Sequence, residues 1–451
     1  MKNFINKKLQ TLSTILDGNI YIVGGFVRNF LITGTPSGDI DVATPLKKED
    51  LLPKIKELFT KIGEYENTGT IKFSDEETNE EFELTTFRKE SYRKGGTHTP
   101  EKIEFTTDIV EDAKRRDFKI NAIYYDIKAG KIVDPLNGIE DIKNKVISTT
   151  SSNREVFSED GLRLMRLARL KGELGFDIEE KTLLEAKKYA KNIVDISKER
   201  ILDELNKILV ADIKYPFSPK YAHYDGLKVL DETRVLDYIL PELTKGRFME
   251  QRKDFHSYDV LEHSLRTVKY ADKSIRLPAL LHDIGKPYCM EEFAKYHEHA
   301  KYGEIIAGKV LNRLKAPKKV ISKVKRLTLL HMLDMKKEMR EGKIRRYIAD
   351  NLDIFEELLL LKQADFSACK DDLSTNHTVI RWRSIYEKMA LEKVPLSLKD
   401  LAVKGTDLVG IIPEEKIGEI LKELLYFCLN NGKNNQKEKL IKRALNIKNS
   451  F

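Results

Sequence analysis

The run Ile20-Tyr21-Ile22-Val23 leads straight into Gly24-Gly25-Phe26-Val27-Arg28, and after a short spacer comes Asp39-Ile40-Asp41. That order predicts a strand, a glycine turn, a helix and a second strand. Side chains alternate along a strand, so Asp39 and Asp41 are expected on one face. Two carboxylates on one face suit two Mg²⁺ ions that clamp the attacking and leaving oxygens of a phosphoryl displacement. The glycine pair lets bare backbone N–H groups approach a triphosphate at a helix N-terminus. Arg28 offers a fork that matches phosphate oxygens. Neither element alone is specific; their order after an apolar strand is what carries the reading.

At 451 residues the chain has room for two to four domains. Lys plus Arg number 80 against 72 Asp plus Glu, a net +8, so a nucleic-acid surface is expected as a patch only. Cys289, Cys369 and Cys428 lie far apart without a Cys-x-x-Cys, which predicts reduced thiols and no zinc knuckle. Residues 1–17 lack the apolar core of a signal peptide, and no apolar run is long enough to span a membrane. A cytoplasmic protein is expected.

The fold class expected is α+β. Residues 1–150 form a head on a small mixed sheet, with strands at Thr70–Phe73, Glu81–Phe87, Lys119–Asp126 and Ile132–Val133. Lys48–Ile62 reads as a surface helix, and the glycine-rich, charged stretch Arg88–Glu104 as a mobile loop. Helix dominates from Ser151. Glu155–Leu174 reads as one helix with a basic stripe at Arg163, Arg166, Arg169 and Lys171. The proline-bearing stretch Tyr215–Ser218 reads as a boundary, giving a neck at 151–214, a body at 215–375 and a basic tail at 376–451.

Five ordered segments resemble the class II tRNA nucleotidyltransferase/poly(A) polymerase family. They are Gly-Gly-x-Val-Arg with Asp39-x-Asp41, Arg115-Arg116-Asp117-Phe118-Lys119-Ile120-Asn121-Ala122, Asp134-Pro135-x-x-Gly138, Glu159-Asp160-x-x-Arg163-x-x-Arg166, and Ser197-x-Glu199-Arg200-Ile201-x-x-Glu204. The resemblance implies a nucleotidyltransferase head that adds CCA to tRNA 3′ ends from CTP and ATP. Asp39 and Asp41 would be its Mg²⁺ ligands. Glu83, on a following strand, would be a third catalytic carboxylate; the plain alternative is an exposed edge-strand Glu. Gly24, Gly25 and Arg28 would hold the triphosphate. Arg116, Asp117 and Asn121 would contact the nucleotide, with Asp117 accepting from a ribose 2′-OH. Asp160 and Arg163, three apart, would stand side by side and present an edge that pairs with C or A, with Arg166 beside them; the plain alternative is a helix salt bridge. Arg88–Glu104 keeps Arg88, Glu90, Tyr92, His98 and Pro100 of the family's flexible loop, which implies addition of the whole CCA. One position departs: Asn29 stands where the family usually has Asp.

Six of nine histidines fall between His256 and His331. His263, His282-Asp283, His299, His331 and Asp365 resemble in order the ligands of an HD metal-dependent phosphohydrolase domain. Imidazoles and carboxylates on packed helices suit Mn²⁺, Fe²⁺, Ni²⁺ or Mg²⁺. The tail resembles one that docks the tRNA elbow, or else caps a helical domain. Sister activities on the same head are a poly(A) polymerase or a CC- or A-only enzyme. Other classes are an HD phosphohydrolase acting on RNA ends and a tRNA-binding protein without catalysis.

Overall fold

The computed structural model describes every residue except 66–68, 93–95, 97–99, 152–155, 336 and 449–451. His98 lies outside the described residues. Contacts divide the chain into two units, Met1–Thr244 with Arg313–Lys315, and Lys245–Asn312 with Ala316–Phe451.

The first unit opens with α1 (Lys7–Ile15), whose N-terminal N–H groups of Lys8 and Leu9 donate to the Asn6 side chain. β1 (Tyr21–Val23), α2 (Gly25–Thr33) and β2 (Ile40–Thr44) follow as the sequence predicts. Then come α3 (Lys48–Leu58), β3 (Thr60–Tyr65), β4 (Thr70–Asp75) and β5 (Glu80–Thr86). The expected helix Lys48–Ile62 stops at Leu58. Phe59 is drawn into a ring cluster with Phe73 and Phe82, and Thr60–Tyr65 pairs with β4. Tertiary packing overrides local helix preference there.

Of Arg88–Glu104, expected as a mobile loop, the two ends are strands: β6 (Arg88–Ser91) and β7 (Lys102–Phe105) pair as a ribbon. After α4 (Ile109–Lys114), the expected strand Lys119–Asp126 divides. Lys119–Asn121 is a 3₁₀ turn, and only β8 (Tyr124–Asp126) joins the sheet, beside β9 (Lys131–Val133). Asn121 N–H donates to Phe118 O, and this turn is what lets Asp117 and Asn121 share a hydrogen bond. The seven-stranded sheet runs β3-β4-β5-β2-β1-β8-β9. Only β2 and β5 are parallel neighbours. Val23, Ala43, Phe87 and Tyr124 pack with Ala113 of α4 as a core.

Beyond α5 (Gly138–Asn144), β10 (Val146–Ile147) pairs in parallel with β11 (Asp177–Ile178). The expected helix Glu155–Leu174 is broken into α6 (Val156–Glu159) and α7 (Leu162–Leu174), with Asp160-Gly161 at the break. Then come α8 (Glu180–Lys188), α9 (Lys198–Leu209), α10 (Ala222–Glu232), α11 (Leu236–Ile239) and α12 (Pro241–Thr244). No new unit starts at 215. α10 packs on α7 so closely that a Cβ on Gly172 would lie 2.5 Å from Ala222 O. The prolines near Tyr215 bend the chain without ending the unit.

The second unit carries α13 (Val260–Tyr270), α14 (Arg276–Leu281), α15 (Gly285–Phe293), α16 (His299–Arg313), α17 (Lys318–Leu330), α18 (Glu341–Asp350) and α19 (Phe355–Lys370). α20 (His377–Leu391), α21 (Ile417–Leu429) and α22 (Lys437–Lys448) complete it. Leu408, Leu424 and Leu440 centre a separate buried cluster in the tail. Among the described residues, no helix is long and apolar enough to cross a membrane.

Candidate functional site

Strand register builds the head site. Val23 pairs with Asp41 and with Tyr124, Asp41 with Glu83, and Glu83 with Lys72. Register partners share a face of a sheet. Farther along that face Ala43 is covered by the core, whereas Asp41 is left open to a cavity of about 790 Å³ that also takes in Asp39. Asp39 precedes β2 by one residue, so only Asp41 is held by the ladder. Glu83 lies on an interior strand, not an edge, and its carboxylate meets Lys72 Nζ at 2.9 Å. Burial in the cleft pushes the Asp41 carboxyl up to about 6; the Arg116 charge opposes this, while Glu83 and Asp39 add to it.

Gly24 sits at φ +83°, and a Cβ there would come within 3.1 Å of Asp41 Oδ2. The backbone conformation therefore calls for glycine, and a side chain would also crowd the carboxylate. Arg28 is buried; its Nη1 donates to Asn121 Oδ1 at 2.6 Å, and Nε and Nη2 donate to Asn29 Oδ1.

The Arg-Arg-Asp motif is held by a residue the sequence reading missed. Asp112, fully buried on α4, accepts from Arg115 Nε at 2.8 Å, Arg116 Nη2 at 3.2 Å and Tyr124 OH at 2.7 Å. Burial alone would raise its carboxyl, but Arg115 and Arg116 outweigh it and hold it at about 2. The i, i+3 and i, i+4 spacing to the two arginines was the available signal. Asp117 also has both oxygens engaged, Oδ1 by Phe118 N–H and Asn121, Oδ2 by Arg166 Nε at 2.6 Å. It thus orients Arg166 and Asn121 while lining the cavity. Tyr215, read as part of a boundary, instead lines the cavity and accepts from Arg28 Nη2 at 3.2 Å.

Asp160 and Arg163 are both 5% exposed and line the same cavity. Among the described residues no hydrogen bond or ion pair joins the two, so the plain helix salt bridge is not formed. Asp160 stands in the α6–α7 break, where its Oδ1 accepts from Leu162 N–H at 2.9 Å. Arg163 donates to Val156 O at 3.1 Å, Glu159 at 3.2 Å and Arg115 O at 2.7 Å. The β6–β7 ribbon reaches this point: Glu90 accepts from Arg88, Arg115 and Tyr92, and the Tyr92 ring centre lies 5.8 Å from the Arg163 guanidinium.

The second unit brings all six expected ligands together, each buried. His263 Nε2 lies 3.0 Å from Asp365, and Asp283 lies 3.2 Å from His282 Nε2, 3.3 Å from His299 Nε2 and 3.5 Å from His331 Nε2. The Nδ1 atoms of His282, His299 and His331 each face a carbonyl three residues back, at 2.6–2.8 Å. In a neutral ring those contacts place the proton on Nδ1 and leave an Nε2 lone pair pointing at the carboxylates. Acceptor faces acceptor, and His282 Nε2 is buried without a hydrogen bond. A divalent cation fits this donor set. Lys286 Nζ meets Asp283 at 2.6 Å, and His256, read only as part of the histidine count, lies with Cys369 beside His263. A cavity of about 500 Å³ opens over the cluster.

Comparison with known proteins gives a family model for each part. Residues 20–148 match the "Poly A polymerase head domain", 175–246 an "RNA and SrmB- binding site of polymerase A", and 294–444 a "tRNA nucleotidyltransferase domain 2". An A-adding tRNA nucleotidyltransferase of Deinococcus radiodurans is 29% identical over 348 residues, 71% of this chain and 76% of that protein. A CCA-adding enzyme of Lactobacillus helveticus is 37% identical over 211 residues, 45% of this chain. The chain spans about half the length of that relative, 49%. The crystal structure of the Bacillus stearothermophilus CCA-adding enzyme with CTP superposes with a TM-score of 0.66 at 22% identity, covering 99% of both chains, and shows the same fold.

Proposed function

We propose that this chain, which belongs to the tRNA nucleotidyltransferase/poly(A) polymerase family, adds and repairs the 3′-terminal CCA of tRNA. Such head domains depend on divalent metal, and Mg²⁺ on Asp39 and Asp41 is the reading favoured here. The observation that carries it is the register of Asp41 against Glu83, with Asp41 lining the cavity that also holds Arg28, Asp160 and Arg163.

The tRNA 3′-OH attacks the α-phosphorus of CTP or ATP, and pyrophosphate leaves. Bound at Asp39 and Asp41, Mg²⁺ would lower the charge on the reacting oxygens. Glu83 accepts the proton of the attacking hydroxyl once it turns from Lys72. The α2 N-terminus and Arg28 hold the leaving phosphates. Asp160 and Arg163, each pinned by backbone groups and not by one another, offer a fixed acceptor and a fixed donor to the base. C and A match that pair; U and G leave buried polar groups unpaired. The tail docks the tRNA, and the working compartment is the cytoplasm.

A second reading is A-only addition, favoured by the A-adding relative, whose match spans more of this chain than that of the Lactobacillus enzyme, 71% against 45%. The histidine cluster is read as an HD-type phosphohydrolase centre for RNA ends, with a divalent metal activating water. The deciding experiment incubates the protein with tRNA lacking CCA, Mg²⁺ and each NTP singly and together. Growth by three nucleotides with CTP plus ATP, and none with UTP or GTP, supports CCA addition. Growth only from a CC end moves the reading to A addition, and no growth overturns both.

A further inference from the structure

Six arginines of the head cleft, Arg88, Arg115, Arg116, Arg163, Arg166 and Arg169, each meet a carboxylate. Arg28 does not. It is 3% exposed, and among the described residues its hydrogen bonds go only to neutral groups: Asn29 Oδ1 at 3.0 and 2.9 Å, Asn121 Oδ1 at 2.6 Å and the Tyr215 hydroxyl at 3.2 Å. Of the acids nearby, Asp117 holds Arg166, and Glu173 gives one oxygen to Arg169 while acting on Arg28 only through space. Burial accordingly lowers the Arg28 guanidinium below its ordinary range. A buried charge with no counter-charge is costly and persists where something else completes it.

Asn29 is what makes this arrangement possible. It is fully buried, and its Nδ2 donates to Ser37 O at 2.9 Å and Ser37 Oγ at 3.1 Å. Those bonds fix which end of the amide faces Arg28. A carboxylate there would set an oxygen against the Ser37 carbonyl and would neutralise the guanidinium. The guanidinium itself lies back over the helix start, since a Cβ on Gly25 would be 3.5 Å from Arg28 Nη2. The guanidinium, the helix start and Asp41 thus line one cavity.

We propose that Asn29 is a positioning residue that holds the Arg28 guanidinium without setting a carboxylate against it, so that the polyphosphate of the incoming nucleotide supplies the counter-charge. This rests on the nucleotidyl-transfer reading for its ligand. The Asn29→Asp variant should bind inorganic tripolyphosphate with Mg²⁺ ~10-fold more weakly by calorimetry and raise the KM for CTP by a similar factor, with kcat at saturating CTP within about twofold of wild type. A residue that merely supports the fold would move kcat as well, or neither constant. Unchanged tripolyphosphate affinity in Asn29→Asp, or no binding by wild type, overturns the proposal. Binding with the expected loss but no nucleotide incorporation leaves it standing while the proposed function falls. Should Asn29→Asp not fold, Arg28→Gln decides: without ligand it should melt a few degrees above wild type and lose tripolyphosphate binding. Melting at or below wild type, or retained binding, overturns it.

Discussion

The head cleft and the histidine cluster both gather charge, and they balance it in opposite ways. In the cleft nearly every buried carboxylate has an arginine against it: Asp112 with Arg115 and Arg116, Asp117 with Arg166, Glu173 and Glu204 with Arg169. In the cluster, Asp283 and Asp365 are surrounded by imidazoles, with Lys286 the one permanent cation paired to them among the described residues. In the cleft, among the described residues, Arg28 is the buried arginine without a carboxylate in contact, and Asp39 and Asp41 are the carboxylates proposed for metal. The cluster is complete only with protons or a cation. A preformed set of side-chain partners supports a site that must stay open and rigid; a set of facing acceptors makes folding and cation uptake one event.

The largest expected effect tests the open end of the cleft. Asp41→Ala should cut nucleotide incorporation by ~10³-fold and leave the cation response of the second unit untouched. Incorporation within tenfold of wild type would remove Asp41 from the metal site. Next, Arg163→Ala or Asp160→Ala should lose ~10²-fold in preference for CTP and ATP over UTP and GTP, read as ratios of kcat/KM. Asp112→Asn leaves Arg115 and Arg116 without their buried carboxylate, so the urea midpoint should fall by the equivalent of ~3 kcal/mol. If stability is unchanged, the contrast between the sites is wrong.

The cluster should answer to ligand and pH. Titrating Mn²⁺ into metal-free protein should raise the melting temperature and release protons, measured by calorimetry in buffers of different ionisation enthalpy. No proton release would mean that the facing nitrogens are not protonated. Burial alone would lower His282, but Asp283 and Asp365 hold it up at about 10. A raised folded value contributes stability that is full below the ordinary histidine range and is lost as pH rises through the folded value. Metal-free protein should thus weaken between about pH 7 and pH 10, and His282→Gln should flatten that slope in urea titrations. The carboxylates work the other way. Asp112 and Asp117, held at about 2 by their arginines, contribute stability above the ordinary carboxylate range that is lost as pH falls toward 2.

Much of this was readable because the candidate site residues sit at fixed spacings. Gly24, Asp41 and Glu83 were placed by alternation and by glycine chemistry, and the structure puts them where that reasoning does. The misses share a cause. Phe59 ended a helix because aromatic partners on β4 and β5 were waiting, and no local pattern contains them. Asp160 and Arg163 were assigned to one helix because i, i+3 spacing implies it, yet the chain breaks between α6 and α7. Tyr215 looked like a linker residue beside proline, but its partner is Arg28, 187 positions away. Distant partners decide where local signals are weak.

The parallel pairing of β2 with β5 has a consequence for how this protein tolerates change in length. The two strands are joined by α3, β3 and β4, and residues can be gained or lost in the turns between those elements without changing the register of Asp41 against Glu83. Within β5 the tolerance vanishes. One residue inserted before Glu83 would turn its side chain to the opposite face and deliver its neighbour in its place. The strand thus behaves like a reading frame: insertions between the frames are silent, and a single insertion inside one exchanges every side chain the site receives.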